Sequence, residues 1–168
     1  MTAANAHPTV AAIRQSVQDS YAQLCTLLAG PLATLDSPKL YQTPDENEWS
    51  IMQNLAHLCE FLPYWAGQIE QLVAHPGQSF GRTMQDEGRL EALRAHGRDT
   101  VLQVKEALPG SYARLDEVLG RLQESDLDLT AWHSKYSERT LAWFIDEFVV
   151  EHLRKHIVQL RACLSVCQ

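Results

Sequence analysis

Apolar residues recur through most of the chain at the three- to four-residue spacing of amphipathic helices, in four blocks. The first carries Val10, Ile13, Val17, Tyr21, Leu24 and Leu28, with Thr9 after Pro8 as a start signal and Gly30-Pro31 as a stop. Residues 31–48 hold three prolines among Asp, Ser, Thr and Asn, which predicts a loop pinned to the core by Leu32, Leu35, Leu40 and Tyr41. The second block begins near Ser50 and runs through Ile51, Leu55, Leu58, Leu62, Trp65, Ile69 and Leu72, with Pro63 expected to kink or split it. The third runs from Arg89 through Leu90, Leu93, Val101, Val104 and Leu108, and continues in Leu115, Val118, Leu119 and Leu122. A bend or short break is expected at Pro109-Gly110, or a separate short helix. Residues 125–138, with Trp132, His133 and Tyr136, read as a loop. The fourth block, Thr140 to Cys163, has no Pro or Gly, and its stripe is Leu141, Phe144, Ile145, Phe148 and Val149.

No segment alternates as a strand would, so the pattern predicts an all-α protein, a four-helix bundle forming one domain over residues 1–168, with 1–8 as a flexible tail. Composition agrees: 45% apolar and 21% charged residues describe a globular chain. A formal net charge of −7 without any Lys/Arg run argues against nucleic acid as a partner. No basic start precedes an apolar run, and no apolar stretch is long enough for a bilayer, so a cytoplasmic protein is expected. Cys25, Cys59, Cys163 and Cys167 lack CxxC spacing and read as reduced thiols, Cys25 and Cys59 within the core.

The candidate chemistry sits where the fourth stripe is carried forward, because the next positions on it are His152 and His156. Two imidazoles one turn apart then occupy the middle of a face that should be buried, and burial without a partner is costly. Alone, the pair is weak: one histidine bonded to a carbonyl and another reaching solvent would give the same spacing. Three features favour a metal site. Residues i and i+4 point the same way and suit one ion. Both lie on the apolar stripe. Finally, His57 stands on the flank of the second stripe, at a boundary between core and cleft, available to a facing helix. His7, His75 and His96 read as surface residues. His133 could border a cleft, but a surface role is favoured. Glu147 and Glu151 lie off the stripe, solvated or orienting a ligand from behind. Tyr64, Trp65, Trp132 and Tyr136 are candidates for lining the cleft, with core packing the favoured role. GxSxG, P-loop, GxGxxG and HExxH motifs are all absent.

Glu48-Trp49-Ser50, Ala56-His57-Leu58 and the His152/His156 pair followed by Gln159 resemble the DinB-like superfamily, the damage-inducible and bacillithiol-transferase group of small bacterial metalloproteins. Leu153, Val158, Pro63 and Pro109-Gly110 depart from the usual pattern of that family. The resemblance implies a bundle with its two middle helices parallel, a divalent ion (zinc or nickel) on His57, His152 and His156, and a possible homodimer. Family members include bacillithiol S-transferases and mycothiol-dependent isomerases. It therefore implies a small-molecule substrate and, as the leading activity, transfer of a low-molecular-weight thiol to an electrophile. Metal-dependent hydrolysis comes next, then non-enzymatic binding of a metal or small ligand in stress response, and then an interaction module without metal. Three neutral imidazoles leave an open position on an ion, which is the mark of a catalytic rather than a closed site. Beyond the ligands, no catalytic residue is identified.

Overall fold

The computed structural model describes residues 7–46 and 48–167; residues 1–6 of the expected tail and the side chain of Cys167 lie outside the described residues. The helices are α1 (Val10–Ala29), the short α2 (Pro31–Thr34) and α3 (Ser37–Tyr41), α4 (Ile51–Ala74), α5 (Glu87–His96) and α6 (Val101–Arg121). The last helix has three parts: α7 (Leu141–Ile145), a π turn (Asp146–Val150) and α8 (Glu151–Cys167). The segment expected as a loop after α1 therefore holds two short helices, and Leu32 and Leu40 do pin it to the core.

Side-chain pairs fix the directions of the four long helices. Arg14 pairs with Asp116 at 2.9 Å, and Tyr21 stacks on Tyr112 with centroids 3.9 Å apart, so α1 and α6 are antiparallel. Between α4 and α6 the order rises on both: Cys59 meets Ser111, and Glu70 meets Arg121. These two middle helices are parallel. On the other side of α4, His57 meets His152 and Asn54 meets His156, so α8 runs antiparallel to it. Ile51, Leu55, Leu58, Leu62 and Ile69 of α4 are buried almost completely between the other helices.

Pro63 neither splits nor ends α4, which is one helix of 24 residues. A proline removes the amide that would bond the carbonyl four residues earlier, here that of Cys59. The Ser111 hydroxyl of α6 donates to that carbonyl at 2.7 Å. The bond lost within one helix is thus replaced by one between two helices. Pro109 is likewise inside a continuous helix, contrary to the expected break. It faces solvent, as does Lys105, whose carbonyl it leaves without a helical donor, so water can satisfy the exposed turn.

The break in the third block falls instead at residues 97–100. Gly97 closes α5 by donating its amide to Leu93, at a position where a Cβ would lie 2.5 Å from that same carbonyl. Thr100 then opens α6 through reciprocal bonds with Gln103, a capping box.

Residues 125–138, expected as loop, contain a 3-10 turn (Glu124–Asp128) and most of an antiparallel pair, β1 (Thr130–His133) and β2 (Ser137–Thr140), with Trp132 opposite Glu138. Its alternation is inverted in hydropathy. Ala131 and His133 point inward, whereas Trp132 is 55% exposed. His133 is 5% exposed, so the surface role expected for it is corrected. Gly81, at φ +86°, passes so near the His133 ring that a Cβ there would come within 2.9 Å. Cys25 and Cys59, expected in the core, are only partly buried.

The Cys59–Ser111 bond gives a test. Ser111→Ala should lower stability by about 1–3 kcal/mol in urea denaturation, the cost of stranding a partly buried acceptor. In a Pro63→Ala background, where the helix supplies its own donor, the same change should cost distinctly less.

Candidate metal centre

Ser50 caps α4: its hydroxyl accepts from the Gln53 amide at 3.2 Å, and the Gln53 side chain accepts from the Ser50 amide at 2.9 Å. This capping box starts the helix so that Asn54, His57 and Phe61, spaced at three and four residues, lie along the face toward α8. The Asn54 amide group donates to the carbonyls of Trp49 at 3.3 Å and Ser50 at 3.0 Å, which fixes its orientation. Its Oδ1 is then turned to His156 Nδ1, 2.8 Å away. Nδ1 of His156 therefore carries the hydrogen, and Nε2 carries the lone pair.

On the facing side, the π turn decides how the two histidines are presented. A π turn places one more residue in a turn than an α-helix does, and it rotates the helix beyond it by about 100°. From Val149 and Val150 at its end, the buried stripe continues through Leu153, Ile157, Leu160 and Leu164, displaced from the line of Leu141 and Ile145. The histidines therefore stand on the edge of the buried face rather than at its centre, His156 buried and His152 half-buried. Leu153 takes a core position.

The three ring nitrogens come together. His152 Nε2 lies 2.8 Å from His156 Nε2 and 3.4 Å from His57 Nε2, and candidate ligand atoms of all three residues lie within 4.8 Å of one another. Ligands at the usual zinc–nitrogen distance around a tetrahedral ion stand roughly 3.3 Å apart. The triad could hold a metal ion. His57, expected on a core–cleft boundary, is 3% exposed, and its Nδ1 is buried without a hydrogen-bond partner. The nearest carboxylate, Glu60 Oε2, is 3.6 Å from that nitrogen, an ion-pair distance too long for a hydrogen bond. Glu60 is itself gripped by both Arg82 amino groups at 2.6 Å. Arg82 thus holds the carboxylate behind His57, whose Nε2 lies toward the other imidazoles.

Electrostatics keep all three rings neutral. Burial, reinforced by the neighbouring His57 ring, pushes His152 down to about 4. Burial, then His152 and His57, pushes His156 down to about 2. Burial also lowers His57, against the opposing pull of Glu60. Burial would raise Glu60, but His57 and Arg82 outweigh it and hold its carboxyl at about 2. Neutral imidazoles offer their lone pairs, so this donor set fits a divalent cation. Trp49 and Phe61 flank the cluster, their ring centroids 5.0 and 5.4 Å from that of His57.

Other candidates fall elsewhere. Glu147 pairs with Lys155 at 3.6 Å, and Glu151 pairs with Arg154. Trp65 is core, and Tyr64 lies under Arg82. His133, Tyr136 and Phe148 form a separate aromatic group, and His75 and His96 are exposed. Sequence reasoning did not single out Asn54, Glu60, Arg82 or Arg89. The spacing of Asn54 and Glu60, three residues before and after His57, is the signal that could have found the first two.

The sequence profile of the DinB superfamily matches residues 21–160. The chain belongs to the DinB superfamily. No curated protein sequence matches it. Among solved structures, this DinB-superfamily chain is similar to YfiT from Bacillus subtilis, described as "a probable metal-dependent hydrolase with an unusual four-helix bundle topology". That match has a TM-score of 0.76 at 13% identity, over 97% of this chain and 91% of that one. A mycothiol-dependent maleylpyruvate isomerase matches with a TM-score of 0.67 at 12% identity, over 91% of this chain but 61% of its own length. The colibactin self-resistance protein ClbS, solved in complex with double-stranded DNA, matches with a TM-score of 0.60 at 12% identity, over 98% and 99% of the two chains. At these identities the likeness shows the fold. Among the described residues, no helix is long and apolar enough to cross a membrane.

The depressed histidines carry a pH signature. The unfolded chain takes up protons near the ordinary value of 6.5, where the native metal-free protein does not. Native stability is therefore full above that value and falls as pH drops toward the native values. The urea midpoint of metal-free protein should decline between about pH 7 and about pH 5. His152→Gln, which removes a titrating group, should make the decline shallower.

Proposed function

We propose that this protein is a metal-dependent enzyme whose ion is held by His57, His152 and His156, and that it transfers a low-molecular-weight thiol to an electrophile. The observation that carries the reading is the convergence of the three imidazole nitrogens, with the His156 tautomer set by Asn54. A divalent ion bound there, zinc or nickel, would supply Lewis acidity that makes a thiol or a water molecule more acidic near neutral pH.

The chain's own residues perform the rest. Asn54 orients the His156 ring from behind, so that its lone pair rather than its N–H faces the centre, and Glu60 places a carboxylate 3.6 Å behind the Nδ1 of His57. Buried Phe61 keeps the inner side of the cluster apolar, and half-buried Trp49 and His152 mark its open side. A fourth position on that side would admit a small substrate. Mycothiol dependence of one structural neighbour supports a thiol cosubstrate. Hydrolysis is the second reading, supported by the description of YfiT. It uses the same site with water in place of the thiol.

Untagged protein dialysed against zinc or nickel should retain about one ion per chain, and His156→Ala should lose it. Equal, sub-stoichiometric retention by both proteins would sink the metal reading. With the ion bound, conjugation of bacillithiol to monochlorobimane should exceed that of His152→Ala by at least tenfold, on the order seen when a catalytic ion is misplaced. Equal rates, with hydrolysis of a model amide or ester intact, would move the assignment to the second reading.

A further inference from the structure

Two guanidinium groups lie within electrostatic reach of all or part of the imidazole cluster, and they are held differently. Arg82 is saturated: it binds both oxygens of Glu60, reaches Asp86 at 3.1 Å, and covers the Tyr64 ring. Arg89 is not. Its Nη1 donates to the Met84 carbonyl at 2.8 Å, and its Cζ lies over the Trp49 ring, 4.7 Å from the ring centre. Among the described residues no carboxylate is within ion-pair distance of its side chain; the other arginines without one, Arg98, Arg139 and Arg161, are exposed, whereas Arg14, Arg82, Arg94, Arg114, Arg121 and Arg154 each find one. A guanidinium could simply cover a tryptophan face. This one, however, is half-buried, beside a second cation and next to rings that gather lone pairs for a third. Burial and the repulsion of Arg82 lower its pKa against the pull of Glu60 and Asp86, both of which are already committed to Arg82. In a chain with 21 acidic and 14 basic Lys/Arg residues, leaving it unpaired at this place calls for an anion from outside.

The position is specific. Trp49, on which Arg89 stacks, has its ring 5.0 Å from His57 and 6.0 Å from His156. With Nη1 committed to Met84, the Nε and Nη2 edge remains as a two-pronged donor suited to a carboxylate. We infer that Arg89 anchors a carboxylate of the substrate, so that the molecule spans from this guanidinium across Trp49 to the imidazole cluster. The substrate class is a small carboxylic acid bearing a thiol or another group able to approach the ion. The metal-enzyme reading enters only through the far end of that molecule; the anchor itself stands on Arg89 and Trp49.

The probes are 3-mercaptopropionate and its neutral amide, titrated calorimetrically into zinc-loaded wild-type protein and Arg89→Gln. Wild type should bind the acid about tenfold more tightly than the amide, as expected for hydrogen bonds to a charged group. In Arg89→Gln the ratio should fall to near unity, with amide affinity and zinc content unchanged. In parallel, the Arg89 Nε–H resonance, assigned by its loss in the variant, should shift on titration with the acid and not with the amide, in zinc-loaded and metal-free protein alike. A ratio that survives Arg89→Gln, or a resonance unmoved by the acid in the metal-free protein, overturns the inference. Failure to bind zinc would remove the metal reading instead, and the metal-free resonance would still decide this one.

Discussion

One side-chain amide holds the arrangement together. Asn54 gives its hydrogens to two backbone carbonyls at the entry of α4 and its oxygen to His156 on α8. The first pair of bonds fixes the amide with respect to its own helix. The third fixes a ring on the antiparallel helix with respect to the amide. Both helices are thereby set in register at one buried point, and the same contact decides which nitrogen of His156 faces the centre. Helix start, helix pairing and ring chemistry are one constraint here, because a buried imidazole with the wrong tautomer would leave an N–H and a carbonyl oxygen unmatched.

The parallel α4–α6 pair rests on a different accommodation. Parallel neighbours cannot be joined by a tight turn, so the chain must return the length of α4 before starting α6. It does so through residues 77–80, which bond to β1, and through α5, which packs against α4. The return path is what brings Arg82 and Arg89 to the histidine side. The cations beside the site, one holding Glu60 and the other on Trp49, are thus a product of the bundle's unusual direction as much as of the ligand-bearing helices.

Much of this is legible in the sequence where the signal is local. The helical stripes up to the π turn and the Ser50 start follow from spacing, spacing together with expected burial marks the three histidines as candidates, and the parallel middle helices are implied by the family resemblance. The rest depends on distant partners. Pro63 looks disruptive until Ser111 is known to take up the Cys59 carbonyl. Pro109 looks like a break although its turn faces water, whereas the true break carries its own local signal, Gly97 followed by the Thr100–Gln103 capping box. The hairpin is illegible because its outward residue is a tryptophan and its inward ones are alanine and histidine. Asn54, Glu60 and Arg89 matter through what they touch on other elements, and no periodicity reports that.

The π turn at Asp146–Val150 also bears on how the sequence can change over time. The aromatic side chains before it and the histidine pair after it are referred to the same core through a turn one residue too long. Loss of a single residue there would relax the helix to its regular form, yet it would swing His152 and His156 by about 100° relative to Phe144. Substitution can proceed freely on the outer face of this segment. Its length cannot drift, because chain length at that point sets the aim of two of the three imidazoles.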